Sequence, residues 1–115
     1  MGDLLRHFSV EDIHGHRVEY GRAIWQRKPL VLVTGADDVP IAGIDGIAGD
    51  DVAVVVTRDA VPGLPAPGIA IVDKWGEIAK VWAADSSTAW PGAPELAEWV
   101  SHVRMRCPEC EGEVR

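Results

Sequence analysis

Cys107-Pro108-Glu109-Cys110 is the stretch of this chain whose residue types and spacing carry the most distinctive chemistry. Three readings of it stay open. Two thiols separated by two residues can close a small disulfide and exchange it with another. A Cys-Pro-x-Cys turn is also half of a tetrahedral zinc site, in which thiolates hold the ion. Closure of such a site takes four ligands. This chain offers Cys107, Cys110 and His102, so a dimer would supply four cysteines from two tails. The third reading is an exposed, inert tail. Local charge pulls in both directions. The pair follows the end of a predicted helix, whose negative pole opposes a thiolate. Arg104 and Arg106 offset that pole, and Glu109, Glu111 and Glu113 reinforce it.

Two other groupings carry weaker signals. His14 and His16 flank Gly15. An alternating pair of histidines on a strand can bind metal, but no cysteine or carboxylate is spaced to complete the set, and exposed turn residues are the simpler account. Asp37 and Asp38 are adjacent carboxylates. Acid–base work would need a buried pocket to separate their pKa values. Capping the helix that follows is the simpler role.

The bulk numbers bound the rest. At 115 residues and 47% apolar content, the chain is one domain able to bury a core. A formal net charge of −7 repels phosphate backbones, so nucleic acid is not an expected partner. No apolar run approaches the roughly 20 residues that span a bilayer, so no membrane association is expected. Met1 to His7 is too short and polar for a signal peptide. The expectation is a cytoplasmic protein with reduced cysteines.

The elements that must position these groups read as follows. Residues 8–12 and 17–20 alternate apolar and polar, with Gly15 between them, which predicts a β-hairpin. Residues 21–28 are a connector whose Ile24 and Trp25 tuck under the sheet edge. Pro29 then starts the unbroken apolar run Leu30-Val31-Leu32-Val33, a central strand buried on both faces. Ile41, Ile44 and Ile47 recur at helical spacing, interrupted by Gly43, Gly46 and Gly49. That predicts a short helix held by packing rather than by propensity. Val52 to Thr57 is a second β-branched run, giving a βαβ unit with parallel strands. Prolines at 62, 65 and 67 exclude a regular helix over 58–67. Residues 68–73 and 77–82 flank Lys74-Trp75-Gly76 as a second hairpin, with Gly76 at the expected bulge. Pro94 opens a helix over 93–104, whose Leu96, Trp99, Val100 and Val103 form one apolar stripe. Five tryptophans is a high count for this length. They suit either a protein-partner or homodimer face, or the covering of a small core.

In this order the chain resembles the thioredoxin fold, and within it the redoxin or peroxiredoxin-like branch (alkyl hydroperoxide reductase / thiol-specific antioxidant type). The resemblance rests on Phe8-Ser9-Val10-Glu11-Asp12 with Gly15 and Val18, on Leu30-Val31-Leu32-Val33, on Pro67-Gly68-Ile69-Ala70-Ile71-Val72-Asp73 ending at Gly76, and on the closing helix. It implies an α/β, thioredoxin-like three-layer sandwich in reduced form. A mixed central sheet, a short first helix and a C-terminal amphipathic helix are kept, and one helix is missing. It implies a thioredoxin-like domain over 1–106 and a tail carrying the cysteine pair over 107–115. It also matches Pro67 to the family's cis-proline. The loop departs from the family. Thioredoxins place Cys-x-x-Cys after the central strand, and peroxiredoxins place a cysteine three residues after a threonine. In Thr34-Gly35-Ala36-Asp37 the matching residue is Asp37. A carboxylate does not attack a peroxide as a thiolate does. The expectation is therefore a redox-related protein without standard peroxiredoxin catalysis. Its working thiols would be Cys107 and Cys110, and it would need no cofactor. The alternatives are a non-catalytic binding module, or a zinc-linked dimer using Cys107, Cys110 and His102.

Overall fold

Side chains along β3 (Leu30–Thr34) are buried without exception, because this strand lies inside a sheet covered on both faces. The computed structural model describes residues 4–37, 41, 43–49, 51–83 and 90–104. Its four-stranded sheet has the order β4-β3-β5-β6, with β4 at Ala53–Val56, β5 at Gly68–Val72 and β6 at Ile78–Ala83. Leu30 to Val33 pair in parallel with Ala53 to Val56, and β5 and β6 follow antiparallel. Two short strands, β1 (Ser9–Glu11) and β2 (Arg17–Glu19), form a separate hairpin. It meets the outer edge of β4, where Ile13 donates its amide to the Val56 carbonyl at 2.9 Å.

The period of two along each strand sorts the core into two halves. Val31, Val33, Ile69 and Ile71 face one side, against Leu96, Val100 and Val103 of α2 (Ala93–Arg104) and against Ile41 and Ile44. Leu30, Leu32, Ala70 and Val72 face the other, against Val10, Tyr20, Ile24 and Val61. Those three layers are the predicted sandwich, and α2 covers the predicted span. No helix among the described residues is long and apolar enough to cross a membrane.

Three local expectations are corrected. Tyr20 is not the end of a strand, and the connector is not wholly irregular. Tyr20–Ala23 form a one-turn helix, α1, because the Tyr20 carbonyl accepts from both Ile24 and Trp25 amides. The helix expected around Ile41 to Ile47 is only a 3₁₀ turn, Ile44–Ile47. Gly43 at φ +84° cannot continue an α-helix, although Ile41 and Ile44 still reach the core. The bulge of the second hairpin is not at Gly76. Gly76, at φ +90°, closes the turn, where the Asp73 carboxylate accepts from the Trp75 and Glu77 amides at 2.9 Å each. The register shift falls between Ile71 and Val72, where the pairing passes over Ala79.

Tyr20 yields a testable consequence of this packing. Its ring stacks on Phe8, with centroids 5.2 Å apart, and its hydroxyl is buried without a hydrogen-bond partner. Burial first, and the Asp73 carboxylate second, push that hydroxyl up to about 12. Unfolded tyrosine titrates near pH 10, so the folded chain holds the proton more tightly. The stability this group contributes is fully present below about pH 10 and is lost as pH rises through about 12. Tyr20→Phe keeps the ring and removes an unsatisfied donor. It is expected to be neutral or stabilising by up to about 1 kcal/mol at neutral pH, with a larger advantage near pH 11. Urea unfolding at the two pH values measures this. A variant less stable than the parent at both would show that the hydroxyl is partnered in solution.

Candidate functional site

Thr34 ends β3 with its side chain pointing inward, and its hydroxyl donates to the Pro65 carbonyl at 2.6 Å. That bond clips the proline-rich segment onto the C-terminal end of the central strand. Gly35 then turns the chain at φ +65°. A Cβ built on Gly35 would lie 3.0 Å from Pro67 Cα and 3.1 Å from Pro67 N. The Ala66–Pro67 peptide bond is cis, as the resemblance implied. Gly35 and Pro67 thus form one shelf in which backbone touches backbone. The amides that follow are already used. Gly35 donates to the Asp59 carbonyl at 3.2 Å and Ala36 to the Thr57 carbonyl at 3.0 Å.

Asp37 stands on the outer lip of this shelf. Its side chain is 92% exposed, and one oxygen lies 3.3 Å from Arg58 Nε. It pairs with a cation, and an ion pair so exposed contributes between nothing and about 1 kcal/mol; the residues 38–40 whose amides it would cap lie outside the described residues. Asp38 lies outside the described residues. The loop holds no cysteine, histidine, serine or lysine in its described part, so what it offers is shape, backbone and one surface ion pair.

The remaining candidates separate. His14 and His16 are exposed in the first hairpin's turn, where their amides donate to Asp12 Oδ1 at 2.9 Å each. Asp12 is thus the organiser of that turn. Among the described residues no group of three or more histidine, cysteine, aspartate and glutamate side chains is gathered for a metal ion. His102 is exposed on α2. With Glu98 and Trp99 it lines an open concavity of about 340 Å³. Cys107 and Cys110 lie outside the described residues. All five tryptophans are half-buried, and Trp82 and Trp99 meet edge to face with centroids 6.5 Å apart.

Sequence reasoning passed over Arg58, which has no motif and reaches Asp37 only through the fold. It named Gly35 only as part of the loop. Nor does it single out Glu98, although Glu98 and His102 stand four residues apart on one helix face, a spacing visible in the sequence.

No protein-family model and no curated protein matches this chain. Solved structures do. A thioredoxin candidate from Neisseria meningitidis superposes with a TM-score of 0.58 at 15% identity, covering 91% of this chain and 92% of its own. A peroxiredoxin-like protein from Aquifex aeolicus superposes with a TM-score of 0.53 at 14% identity, covering 89% of this chain and 86% of its own. At such identities the likeness speaks to architecture alone, and what it establishes is that this chain has a thioredoxin-like fold.

Proposed function

We propose that this chain is a redoxin-type protein whose disulfide exchange falls to Cys107 and Cys110 rather than to the loop after the central strand. The observation that carries this reading is Asp37. At the position where the resembled family keeps its reactive cysteine stands an exposed carboxylate paired with Arg58, and the chain's two cysteines are both in the tail. The step balances simply. The Cys107 and Cys110 thiols lose two electrons and two protons and close one disulfide. The substrate disulfide takes both and leaves as two thiols. A low-molecular-weight dithiol then reopens the pair.

The test uses a chromogenic aryl disulfide with dithiothreitol as electron donor. The parent chain is expected to exceed the uncatalysed rate, and the C107S/C110S double variant to fall to it. Full activity in the double variant removes the proposal, as does a parent no faster than dithiothreitol alone.

A second reading is favoured by the shelf itself. Gly35 packed on exposed Pro67 keeps a formed surface at the end of the sheet with no nucleophile in its described part. A non-catalytic binding module would use that surface to hold a protein partner. A stable complex without turnover in the disulfide assay distinguishes it.

A further inference from the structure

We propose that Glu98 and Trp99, on the outer flank of α2, form a seat for the guanidinium of an arginine side chain presented by a peptide segment of a protein partner. Among the described residues Glu98, Trp99 and His102 line an open concavity of about 340 Å³. Ligand pockets run from about 300 to 1,000 Å³, so this one suits a single side chain better than a cofactor. One stretch of helix places the three together. Glu98 and His102 stand four positions apart on one face, and Trp99 follows Glu98 directly.

The Trp99 ring is held in place by its neighbours. Trp82 of β6 meets it with centroids 6.5 Å apart and planes at 87°, and His102 meets it at 5.9 Å with planes at 84°. Both are edge-to-face contacts, an arrangement aromatic pairs favour. Elsewhere on this chain indoles already take cations. Lys74 Nζ lies 5.0 Å from the centre of the Trp75 ring, and Lys80 Nζ lies 5.7 Å from that of Trp82. Among the described residues no cation sits over Trp99, and the Glu98 carboxylate beside it has no ion-pair partner. An indole and an unpaired carboxylate thus stand together at the wall of one concavity.

The chemistry selects a guanidinium. An ammonium is a compact, strongly hydrated charge and keeps its water in a site this open. A guanidinium is flat and weakly hydrated, so it can lie against an indole while its N–H groups donate to a carboxylate. A neutral imidazole at His102 adds one acceptor nitrogen on the same face. The net charge of −7 draws a cationic segment toward the chain. It also disfavours free arginine, whose own carboxylate the acidic surface repels. The seat shares no residue with the Gly35–Pro67 shelf or with the cysteine pair, so it does not depend on either reading of the function.

The test titrates the ¹⁵N-labelled full-length chain with a blocked glycine peptide carrying one central arginine. It follows the Trp99 indole N–H and the backbone amides of α2 by NMR. Saturable shifts in both are expected. Peptides with lysine or citrulline in place of the arginine should bind at least about fivefold more weakly. Glu98→Gln should weaken binding about fivefold, the upper end for an exposed charge pair. That side chain is exposed, so the helix keeps its buried stripe. Trp99→Leu keeps an apolar group on the partly buried flank and should abolish the response of the α2 amides. Glu98→Gln decides alone if that variant does not fold. Glu11→Gln is the control, since it makes the same change of charge at an exposed position of β1 and should bind as the parent does. A silent titration overturns the assignment. So do equal losses in Glu98→Gln and Glu11→Gln, which would leave only net charge at work. Lysine or citrulline peptide, or free arginine, binding as tightly as the arginine peptide overturns it too.

Discussion

Gly35→Val is expected to destabilise the fold by about 2–5 kcal/mol and to take the Gly35–Pro67 shelf apart. Two separate costs meet at this residue. Its φ of +65° lies in the left-handed region, where a β-branched side chain is a steric outlier. Its missing Cβ also faces backbone atoms of Pro67 at 3.0 and 3.1 Å. Backbone cannot swing aside as the end of a side chain can, and Thr34 ties the same segment down through Pro65. Relief would have to come from shifting the whole 65–68 segment against the end of β3. Gly15→Ala separates the two costs. Gly15 has φ +87° with nothing within 4 Å of the added methyl, so it carries only the conformational cost of about 1–2 kcal/mol. Urea unfolding of the two variants should therefore differ clearly. Equal losses would mean that Gly35 and Pro67 are not in contact in solution, and the shelf would lose its standing as a formed surface.

How much of this was readable in the sequence depends on how local each signal is. The unbroken apolar run Leu30 to Val33 marks a strand buried on both faces, since only a central strand needs no polar side. The stripe of Leu96, Val100 and Val103 marks α2, because Pro94 fixes its start and the spacing fixes its buried face. Ile41, Ile44 and Ile47 misled as to element type. Their spacing reports which side chains are buried, and burial of Ile41 and Ile44 is what the fold delivers. It does not report whether Gly43 lets a helix form. The short helix at Tyr20 was hidden for the opposite reason. The segment that follows it makes a tertiary contact with the second hairpin's turn, where the Trp25 indole donates to the Trp75 carbonyl at 3.2 Å and the Gln26 amide to the Lys74 carbonyl at 2.6 Å. The Asp37–Arg58 pair joins residues 21 positions apart in sequence, and no periodicity encodes such a meeting. The loop's lack of a thiol was plain from residue types alone, whereas the shelf that remains there was not.

Leu96→Ala is expected to cost about 2–5 kcal/mol, the range for emptying a fully buried leucine site. Leu96 is 0% exposed and sits in the half-core that α2 shares with Val31, Val33, Ile69 and Ile71. The neighbouring cover on that face is the glycine-interrupted segment around Ile44, which has little propensity of its own to close over a cavity. The site is therefore expected to collapse poorly and to fall toward the upper part of the range. A domain of this size has roughly 5–15 kcal/mol of stability in total, so the variant should remain folded but unfold at markedly lower urea. α2 carries Glu98 and His102 on its exposed side, and Leu96 is on the opposite, buried side. A loss under about 1 kcal/mol would say that the helix does not rest on the sheet through Leu96 at all.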